Sequence, residues 1–192
     1  MEFPWFLLGG VVVLLLVWLK KRFADFQSQS MEDYADMAPI FDLKQHLNGK
    51  MVCEGMIYGP LGRITSSFSA DFDMQWDGDV GVMKEHFRYN DGSEQHREWT
   101  ITLKSGGKFT AEAPDVVGKG SGAMSGMSIR MFYNIRLPEE AGGHVLDTVD
   151  WMYLTPDGTI INRSQFRKFG FRVAELIATI RRVEGVAEAK AA

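Results

Sequence analysis

Cysteine is nearly absent from this chain: Cys53 is the only one in 192 residues. A disulfide within the chain is therefore excluded, and the redox environment of the protein stays open. Cys53 follows Val52 in an apolar stretch with no identifiable base, which predicts a buried small side chain instead of a nucleophile. An excess of basic residues is also absent, because the net charge is -4 and the pI about 5.6. No large basic field exists to attract nucleic acid, so that class of partner is excluded.

Motifs that carry catalysis, metals or cofactors are missing from the sequence. There is no G-x-S-x-G nucleophile elbow. The glycine-rich residues 118–122 match neither the P-loop nor the dinucleotide fingerprint, and they lead into a predicted strand. No two of the four histidines have the short spacing of a metal motif; they are His46, His86, His96 and His144. We therefore predict no catalytic residue, no metal site and no cofactor.

Residues 3–19 form a long run that is uncharged and mostly aliphatic. A helix of that length reaches about 25 Å, near the lower limit for crossing a bilayer. Residues that suit the membrane interface stand at both margins; they are Trp5, Trp18, Lys20, Lys21 and Arg22. Residues 1–22 are therefore predicted to be a single-pass transmembrane anchor, with the lipid bilayer as a partner.

A cleaved signal peptide is the alternative for this segment. Its amino end carries Glu2 where a signal peptide has a basic residue, and no small-x-small cleavage site follows the apolar run. We therefore favour a retained anchor. Since basic residues follow the run, the positive-inside rule places the rest of the chain in the cytoplasm.

Two short segments precede the strands. Residues 23–38 are polar and acidic and are predicted to be a linker, in which Ser30 and Asp33 have the spacing of a capping box for a short helix. Residues 40–47 carry apolar side chains at spacings of three and four and end at Asn-Gly, which predicts a short helix. The globular domain is assigned to residues 39–184 and a disordered tail to residues 185–192.

From residue 51 onward, apolar and polar residues alternate as in β-strands. Eight strands are predicted, at residues 51–58, 63–76, 80–90, 94–103, 108–115, 125–137, 145–154 and 159–169. Most links are tight turns that suit antiparallel neighbours, and residues 118–126 form a longer one. Residues 171–183 fit either a helix or a strand, and we favour a strand that closes the sheet, because closure removes unpaired edges. The predicted fold is an all-β, antiparallel, up-and-down, lipocalin-like barrel.

The firmest local prediction is the hairpin turn Thr-Pro-Asp-Gly-Thr at residues 155–159. Its proline presets φ, and its glycine can take the left-handed conformation that a three-residue loop requires. The resulting register places Trp151 opposite Arg163, and Asp147 opposite Arg167. The second pair is expected to form an ion pair across the strands.

A second hairpin, with its loop at residues 91–93, is predicted to set His86 opposite Glu98 and Arg88 opposite His96. The histidines then lie on the polar face of these strands. The apolar face carries Met83, Phe87, Tyr89, Trp99 and Ile101.

The side chains predicted to line the barrel lumen and contact a ligand are Trp151, Tyr153, Arg163, Arg167 and Tyr133. Trp151 and Arg163 are expected either to form a cation–π contact or to line a cavity whose ligand carries an anionic group. Asp147 and Asp150 are the nearest approach to paired carboxylates, but a spacing of three turns them to opposite faces of the strand. A structural role is therefore favoured for both.

Several short strings occur in a specific order along the chain. They are Phe41-Asp42-Leu43, Leu47-Asn48-Gly49, Gly55-Met56, Arg97 with Trp99, Asp115-Val116-Val117-Gly118, Asp150-Trp151-Met152-Tyr153-Leu154, Asn162-Arg163 and Lys168-Phe169-Gly170. Together they resemble the bacterial family of unknown function DUF3833, over about three quarters of the chain. The resemblance implies a small lipocalin-like β domain attached to a bacterial membrane, with no established activity.

The resemblance also bears on location. The family is associated largely with lipoproteins, in which a lipidated cysteine follows a signal peptide, and this implies the periplasm. No cysteine borders the apolar run here. The chain departs from that pattern, so attachment falls to the predicted anchor, and the positive-inside rule implies the cytoplasmic side of the inner membrane.

These observations favour a membrane-anchored, non-catalytic β-barrel that binds an apolar or amphipathic molecule such as a lipid, an isoprenoid or a pigment. Methionine and aromatic residues suit such a lining but fill ordinary cores equally well. A small closed barrel is either filled by its side chains or has room for one ligand, and both remain open. The alternative function is an accessory or assembly subunit of an inner-membrane protein complex. A third is an uncharacterised enzyme.

Overall fold

The structure, a computed structural model, describes residues 3–183, without the side chains of residues 3–5 and 21. The tail predicted to be disordered, residues 185–192, lies outside the described residues. The side chains of Trp5 and Lys21, two of the predicted anchor residues, are likewise not described.

Within the described residues the chain forms two α-helices and ten β-strands. The helices are α1 (Phe3–Phe23) and α2 (Leu43–His46). The strands are β1 (Gly49–Tyr58), β2 (Ile64–Asp77), β3 (Val80–Tyr89), β4 (Glu94–Lys104), β5 (Lys108–Glu112), β6 (Gly120–Ser125), β7 (Ser128–Arg136), β8 (Val145–Leu154), β9 (Ile160–Lys168) and β10 (Phe171–Arg182). Short 3-10 turns lie at Phe26–Ser28, Glu32–Tyr34 and Glu139–Ala141.

The ten strands form one closed barrel. Each strand pairs antiparallel with its neighbours in sequence, and β10 pairs with β1 to close the sheet. The predicted all-β, antiparallel, up-and-down barrel with a short preceding helix is therefore confirmed. The interpretation of residues 171–183 as a closing strand is also confirmed, since β10 buries Ala178 and Ile180 on one face and leaves Ile177 exposed on the other.

Strand β6 corrects the prediction of a long loop at residues 118–126. Its glycines are present because of packing, not because of a turn. Gly122 lies opposite Phe109 of β5, and a Cβ atom at Gly122 would overlap Cζ of that ring. The end of the buried ring therefore lies against the bare backbone of β6. A composition typical of loops here belongs to a strand that is covered by an aromatic side chain.

The hairpin at residues 155–159 forms as predicted. Its glycine has φ 82°, and the N–H of the first threonine donates to the carbonyl oxygen of the last, 2.9 Å away. The predicted register of β8 and β9 is confirmed, with Trp151 opposite Arg163 and Asp147 opposite Arg167.

The predicted register of β3 and β4 is wrong by two residues. His86 lies opposite His96, and Arg88 lies opposite Glu94. The reason is the position of Gly92, which has φ 85° and takes the last place of the three-residue loop, where the prediction put it in the middle. A shift of two residues keeps every side chain on its predicted face.

One end of the barrel is closed by α2. Asp42 caps this helix by accepting a hydrogen bond from the N–H of Gln45, 2.8 Å away. The helix thereby turns Leu43 and Leu47 into the barrel, where both are almost fully buried. The indole N–H of Trp76 donates to the carbonyl oxygen of Leu47 at 2.8 Å and ties the helix to β2.

The segment predicted to be an anchor forms α1, and its described side chains are exposed, including Trp18, Lys20 and Arg22. The prediction that it crosses a membrane is not supported, because no helix within residues 3–183 is both long enough and apolar enough to do so. In the linker, 3-10 turns replace the predicted short helix, and the Ser30 N–H donates to Oδ2 of Asp33 at 2.7 Å.

The packing of β6 gives a first testable prediction. Gly122→Ala inserts a methyl group beneath the Phe109 ring, so the free energy of unfolding should fall by about 1–3 kcal/mol, the usual cost of overpacking. Ser121→Ala, on the exposed face of the same strand, should change it by less than about 0.5 kcal/mol. Urea unfolding measures both, and equal stabilities of the two variants would contradict the packing described.

Candidate functional site

Four of the five side chains predicted to line the lumen lie on the outer face of the barrel. They are Trp151, Tyr153, Arg163 and Arg167, and only Tyr133 lines the cavity inside. The lumen assignment of these four is wrong, because alternation along β8 and β9 turns Asp150, Asn162 and Ser164 inward and their neighbours outward. The linker packs over that outer face. Trp151 is 1% exposed because Phe26 of the linker and Val149 bury it from outside.

The contacts of the linker account for this burial. The Tyr34 ring lies 5.3 Å from the Trp151 ring in an edge-on arrangement, and the hydroxyl of Tyr153 donates to Gln29 at 2.7 Å. The guanidinium of Arg163 lies 4.8 Å from the centre of the Phe26 ring. The expected cation–π contact of Arg163 with Trp151 is therefore replaced by one with the linker.

The predicted ion pair between Asp147 and Arg167 is not formed, although the two residues face each other. Nη2 of Arg167 lies 3.5 Å from Oδ2 of Asp25 and 2.9 Å from Oε1 of Gln165. The linker places Asp25 over the largely buried guanidinium, whereas Asp147 is exposed to water. Arg167 thus pairs with Asp25 of the linker and not with Asp147, its neighbour across the strand pair.

The lumen contains a cavity of about 130 Å³. Its wall is mainly apolar and includes Met83, Trp99, Ile101, Phe109, Met131 and Ile180. Leu43 and Leu47 of α2 close it at one end. Tyr133 stands in the wall with its ring edge-on to Trp99, and burial raises the pKa of its hydroxyl well above the ordinary value.

The other end of the barrel opens into a wider mouth of about 720 Å³. Apolar side chains also dominate there, among them Ile57, Tyr89, Leu137, Leu146 and Val173. The mouth and the inner cavity share a ring of side chains, which we call the neck: Phe68, Phe87, Arg97, Ile135, Phe166 and Leu176. The inner cavity is therefore reached through the neck from one open end.

Four charged residues lie in the inner cavity, at the neck or on the adjoining wall of the mouth, and we call them the lumen cluster: Glu85, Arg97, Asp115 and Asp150. Arg97 lies directly opposite Glu85 across the β3–β4 pair. Its Nε atom is 3.0 Å from Oδ1 of Asp115, and its guanidinium lies 4.3 Å from the centre of the Trp99 ring. The cluster thus gathers three carboxylates around one guanidinium.

Asp150 is held in place by two polar neighbours on β9. The side-chain amide of Asn162 and the hydroxyl of Ser164, which is 2.9 Å away, both donate to Oδ1 of Asp150. All three side chains are buried and line the cavity. Asp150 and Trp151 are thus adjacent in sequence but buried on opposite sides of the sheet.

Two carboxyl groups of the lumen cluster, those of Glu85 and Asp150, bind protons more tightly than usual. Burial raises the pKa of Glu85 to about 7, and Asp115 and Asp150 add to the rise while Arg97 opposes it. Burial also raises the pKa of Asp150 to about 6, against the hydrogen bonds from Ser164 and Asn162. Both groups therefore change charge between weakly acidic and neutral pH.

Several buried polar atoms of the lumen cluster lack a hydrogen-bond partner among the described residues. They are Oε2 of Glu85, Nε and Nη2 of Arg97, and Oδ1 of Asp115. The close approach of Arg97 to Asp115 is an ion pair without hydrogen-bond geometry. Buried polar groups are normally satisfied, so this concentration of unsatisfied atoms marks a place for a polar partner.

The sequence contained signals for this cluster that the predictions did not use. Glu85 stands between Met83 and Phe87 on the face that the alternation already marked as apolar. Arg97 shares the face of Trp99. A charged residue at an inward position of a barrel strand is the feature that could have identified the site.

Among the described residues, one group of three side chains on the outer face has the geometry of metal ligands: His86, Glu94 and His96. The rings of His86 and His96 stack at 4.2 Å, Nε2 of His86 is 2.8 Å from Glu94, and the ligand atoms of all three lie within 4.8 Å. The corrected register brings them together, whereas ten residues separate the histidines in sequence. Arg88 places Nη1 3.5 Å from Nδ1 of His86, and its charge opposes a cation there.

The raised pKa values give a prediction for the pH dependence of stability. Because both folded-state values exceed the ordinary ones, the folded chain holds more protons than the unfolded chain between about pH 4 and 7, and the free energy of unfolding falls as pH rises. Glu85→Gln and Asp150→Asn should each reduce that fall, by on the order of 3 kcal/mol.

Urea unfolding from pH 4 to pH 8 measures the effect. The control Asp147→Asn changes an exposed carboxyl on the same strand as Asp150 and should keep the wild-type slope. If all three variants kept the wild-type slope of the free energy of unfolding against pH, Glu85 and Asp150 would be ruled out as the source of the pH dependence.

Several solved structures share the barrel fold. A DUF3598-family protein of unknown function from Nostoc punctiforme is 13% identical, with a TM-score of 0.54 over 76% of this chain and 51% of that one. The chain therefore spans about half the length of that protein. The S-type phycobiliprotein lyase CPES from Guillardia theta is 7% identical, with a TM-score of 0.52 and coverages of 82% and 99%. Rv2717c from M. tuberculosis is 16% identical, with a TM-score of 0.54 and coverages of 78% and 100%. At these identities the likeness shows the fold alone.

Family membership rests on the sequence itself. No curated protein matches the chain significantly. The family described as "Protein of unknown function (DUF3833)" matches residues 21–182, which include all ten strands. The resemblance carried by the ordered strings is thereby confirmed, and four of their residues, Arg97, Asp115, Asp150 and Asn162, line the inner cavity or its mouth. The chain belongs to the DUF3833 family.

Proposed function

We propose that this barrel is a non-catalytic binding protein that takes one apolar or amphipathic small molecule into its lumen through the mouth. The observation that carries the proposal is the mainly apolar neck, which joins a wide mouth to a smaller inner cavity with charged groups at the junction. Binding sites for small molecules commonly combine an apolar wall with a few buried polar groups.

The dimensions support a ligand of modest size. An inner cavity of about 130 Å³ accepts the end of a molecule, and a mouth of about 720 Å³ accepts the remainder. The mouth lies in the range typical of small-molecule sites. A lipid, an isoprenoid or a pigment fits this description. The fold shared with an S-type phycobiliprotein lyase supports the architecture, although not the identity of a ligand.

The chemistry of Cys53, Asp150 and Arg97 supports the proposal of binding without catalysis. Burial raises the pKa of the Cys53 thiol to about 12, so the group stays protonated and unreactive. Asp150 is engaged by Asn162 and Ser164, and Arg97 is engaged by carboxylates, which suits them to hold a polar group in place.

Attachment to the bacterial inner membrane through α1 is the second part of the proposal. The helix exposes apolar side chains all round, with Leu14 71% and Leu16 58% exposed. Exposed apolar area of this extent is costly in water and favours lipid. Attachment would bring the mouth of the barrel close to a source of apolar molecules.

Lumen binding is tested by narrowing the neck. Leu176→Trp places a large ring in the neck, whereas Ile177→Trp places the same ring on the exposed face one residue later. Native mass spectrometry of the full chain with dodecanol should show a one-to-one complex for the wild type and for Ile177→Trp. The affinity of Leu176→Trp for dodecanol should be at least about tenfold lower than that of the wild type.

Comparison of the two variants removes any contribution of α1, because both retain that helix. Thermal unfolding of each variant checks that it is folded. Equal binding by the two folded variants, or no binding by the wild type, would contradict the proposed site.

Membrane attachment is tested by co-sedimentation of the full chain with phosphatidylcholine vesicles. Leu14→Asp combined with Leu16→Asp should lower vesicle binding about tenfold or more, because buried carboxylates are costly in lipid. Leu61→Asp alters a side chain that is 85% exposed in the turn between β1 and β2 and should bind as the wild type does. Vesicle binding that survives the double substitution would refute attachment through α1.

A further inference from the structure

We infer that the lumen selects an amphiphile whose polar end donates hydrogen bonds and carries no negative charge, such as an alcohol or an ammonium group, and that it discriminates against carboxylates and phosphates. The inference rests on the proposed function and names the chemistry of its ligand. It is carried by the composition of the lumen cluster.

The balance of charge in the lumen cluster disfavours an anion. Three carboxyl groups, those of Glu85, Asp115 and Asp150, surround the single guanidinium of Arg97. That guanidinium already has Asp115 at 3.0 Å and Glu85 directly across the strand pair. A ligand carboxylate would bring a fourth negative group into a largely apolar enclosure, where repulsion between like charges is costly.

The surroundings of Arg97 confirm that its charge is already compensated. Burial by itself lowers the pKa of the guanidinium. The three carboxyl groups of Glu85, Asp115 and Asp150 act in the opposite direction, and the pKa is raised overall. An additional anion would therefore compete with carboxyl groups that belong to the protein.

The unpartnered atoms indicate what the polar end of the ligand must offer. Oε2 of Glu85 and Oδ1 of Asp115 are buried acceptors, and each requires a donor. Nη2 of Arg97 is a buried donor and requires an acceptor. A hydroxyl group provides both in one atom, and an ammonium group supplies donors to the acceptors. A carboxylate supplies acceptors only.

The apolar walls indicate how the rest of the molecule lies. Glu85 and Asp150 line the inner cavity, Arg97 lies at the neck and Asp115 lines the mouth close to Arg97. The rest of the mouth is lined mainly by apolar side chains such as Ile57 and Val173. The polar end therefore points inward and the apolar chain extends toward the mouth. A ligand that enters from a membrane through the mouth would lead with its polar end.

A matched series of ligands tests the inference. Dodecanol, dodecylamine and dodecanoate, each with a terminal bromine, are titrated against the full chain in phosphatidylcholine nanodiscs at pH 8. Trp99, which lines the cavity and is 5% exposed, reports occupancy through heavy-atom quenching. A Trp99→Phe variant gives the background from the other tryptophans. The alcohol and the amine should bind at least about tenfold more tightly than the carboxylate.

Removal of the negative charges tests the cause. Glu85→Gln combined with Asp150→Asn should bring dodecanoate to within about threefold of dodecanol, since the guanidinium of Arg97 then faces one carboxylate, that of Asp115, instead of three. Asp147→Asn, which neutralises an exposed carboxyl outside the barrel, should leave the preference of the wild type unchanged. Thermal unfolding verifies that each variant is folded.

The outcomes separate the inference from the proposed function. Quenching of Trp99 by none of the three ligands would refute lumen binding itself. Quenching in which dodecanoate equals or exceeds dodecanol would overturn the inference and leave lumen binding intact. An unchanged preference in the folded double variant would also overturn it, because the carboxyl groups would then not be its source.

Discussion

The pairing of β10 with β1 is the constraint on which the rest of this structure depends. Antiparallel pairs from Met51 with Arg182 to Tyr58 with Glu175 close the sheet, and closure turns the alternation along each strand into an inside and an outside. The linker then covers part of the outside, so that neighbouring residues of β8 are buried on opposite sides of the sheet. The same closure brings charged residues from separate strands together in the lumen.

The lumen cluster is difficult to explain by stability alone. Removing a guanidinium and several carboxyl groups from water costs several kcal/mol for each ion, and an apolar filling of the same volume is often neutral or stabilising. Glu85 and Asp150 reduce this cost by binding protons more tightly, yet Arg97 retains its charge and has donors without partners. A polar group brought by a ligand would satisfy those donors and the neighbouring acceptors, which gives the buried charges a role in binding.

The features that could be predicted from the sequence are those set by local chemistry. The turn at residues 155–159 requires its own proline and glycine and therefore fixes the register of β8 and β9. β6 could not be predicted, because the reason for its glycine at position 122 is the ring of Phe109 on the neighbouring strand, which leaves no room for a side chain. The outward position of Trp151 could not be predicted, because its burial suggests a lumen residue but comes from a linker more than a hundred residues earlier in the chain. The inward positions of Glu85 and Arg97 could have been predicted, since both residues interrupt an apolar face. Alternation alone does not show that the two side chains lie close together.

A crystal structure of the full chain, purified in the presence of bacterial lipid extract, tests the account most directly. The account predicts electron density for one organic molecule that passes through the neck, with its polar end within hydrogen-bond distance of Glu85 and Arg97. A lumen that contains only water, with the atoms of the lumen cluster paired to one another, would contradict it.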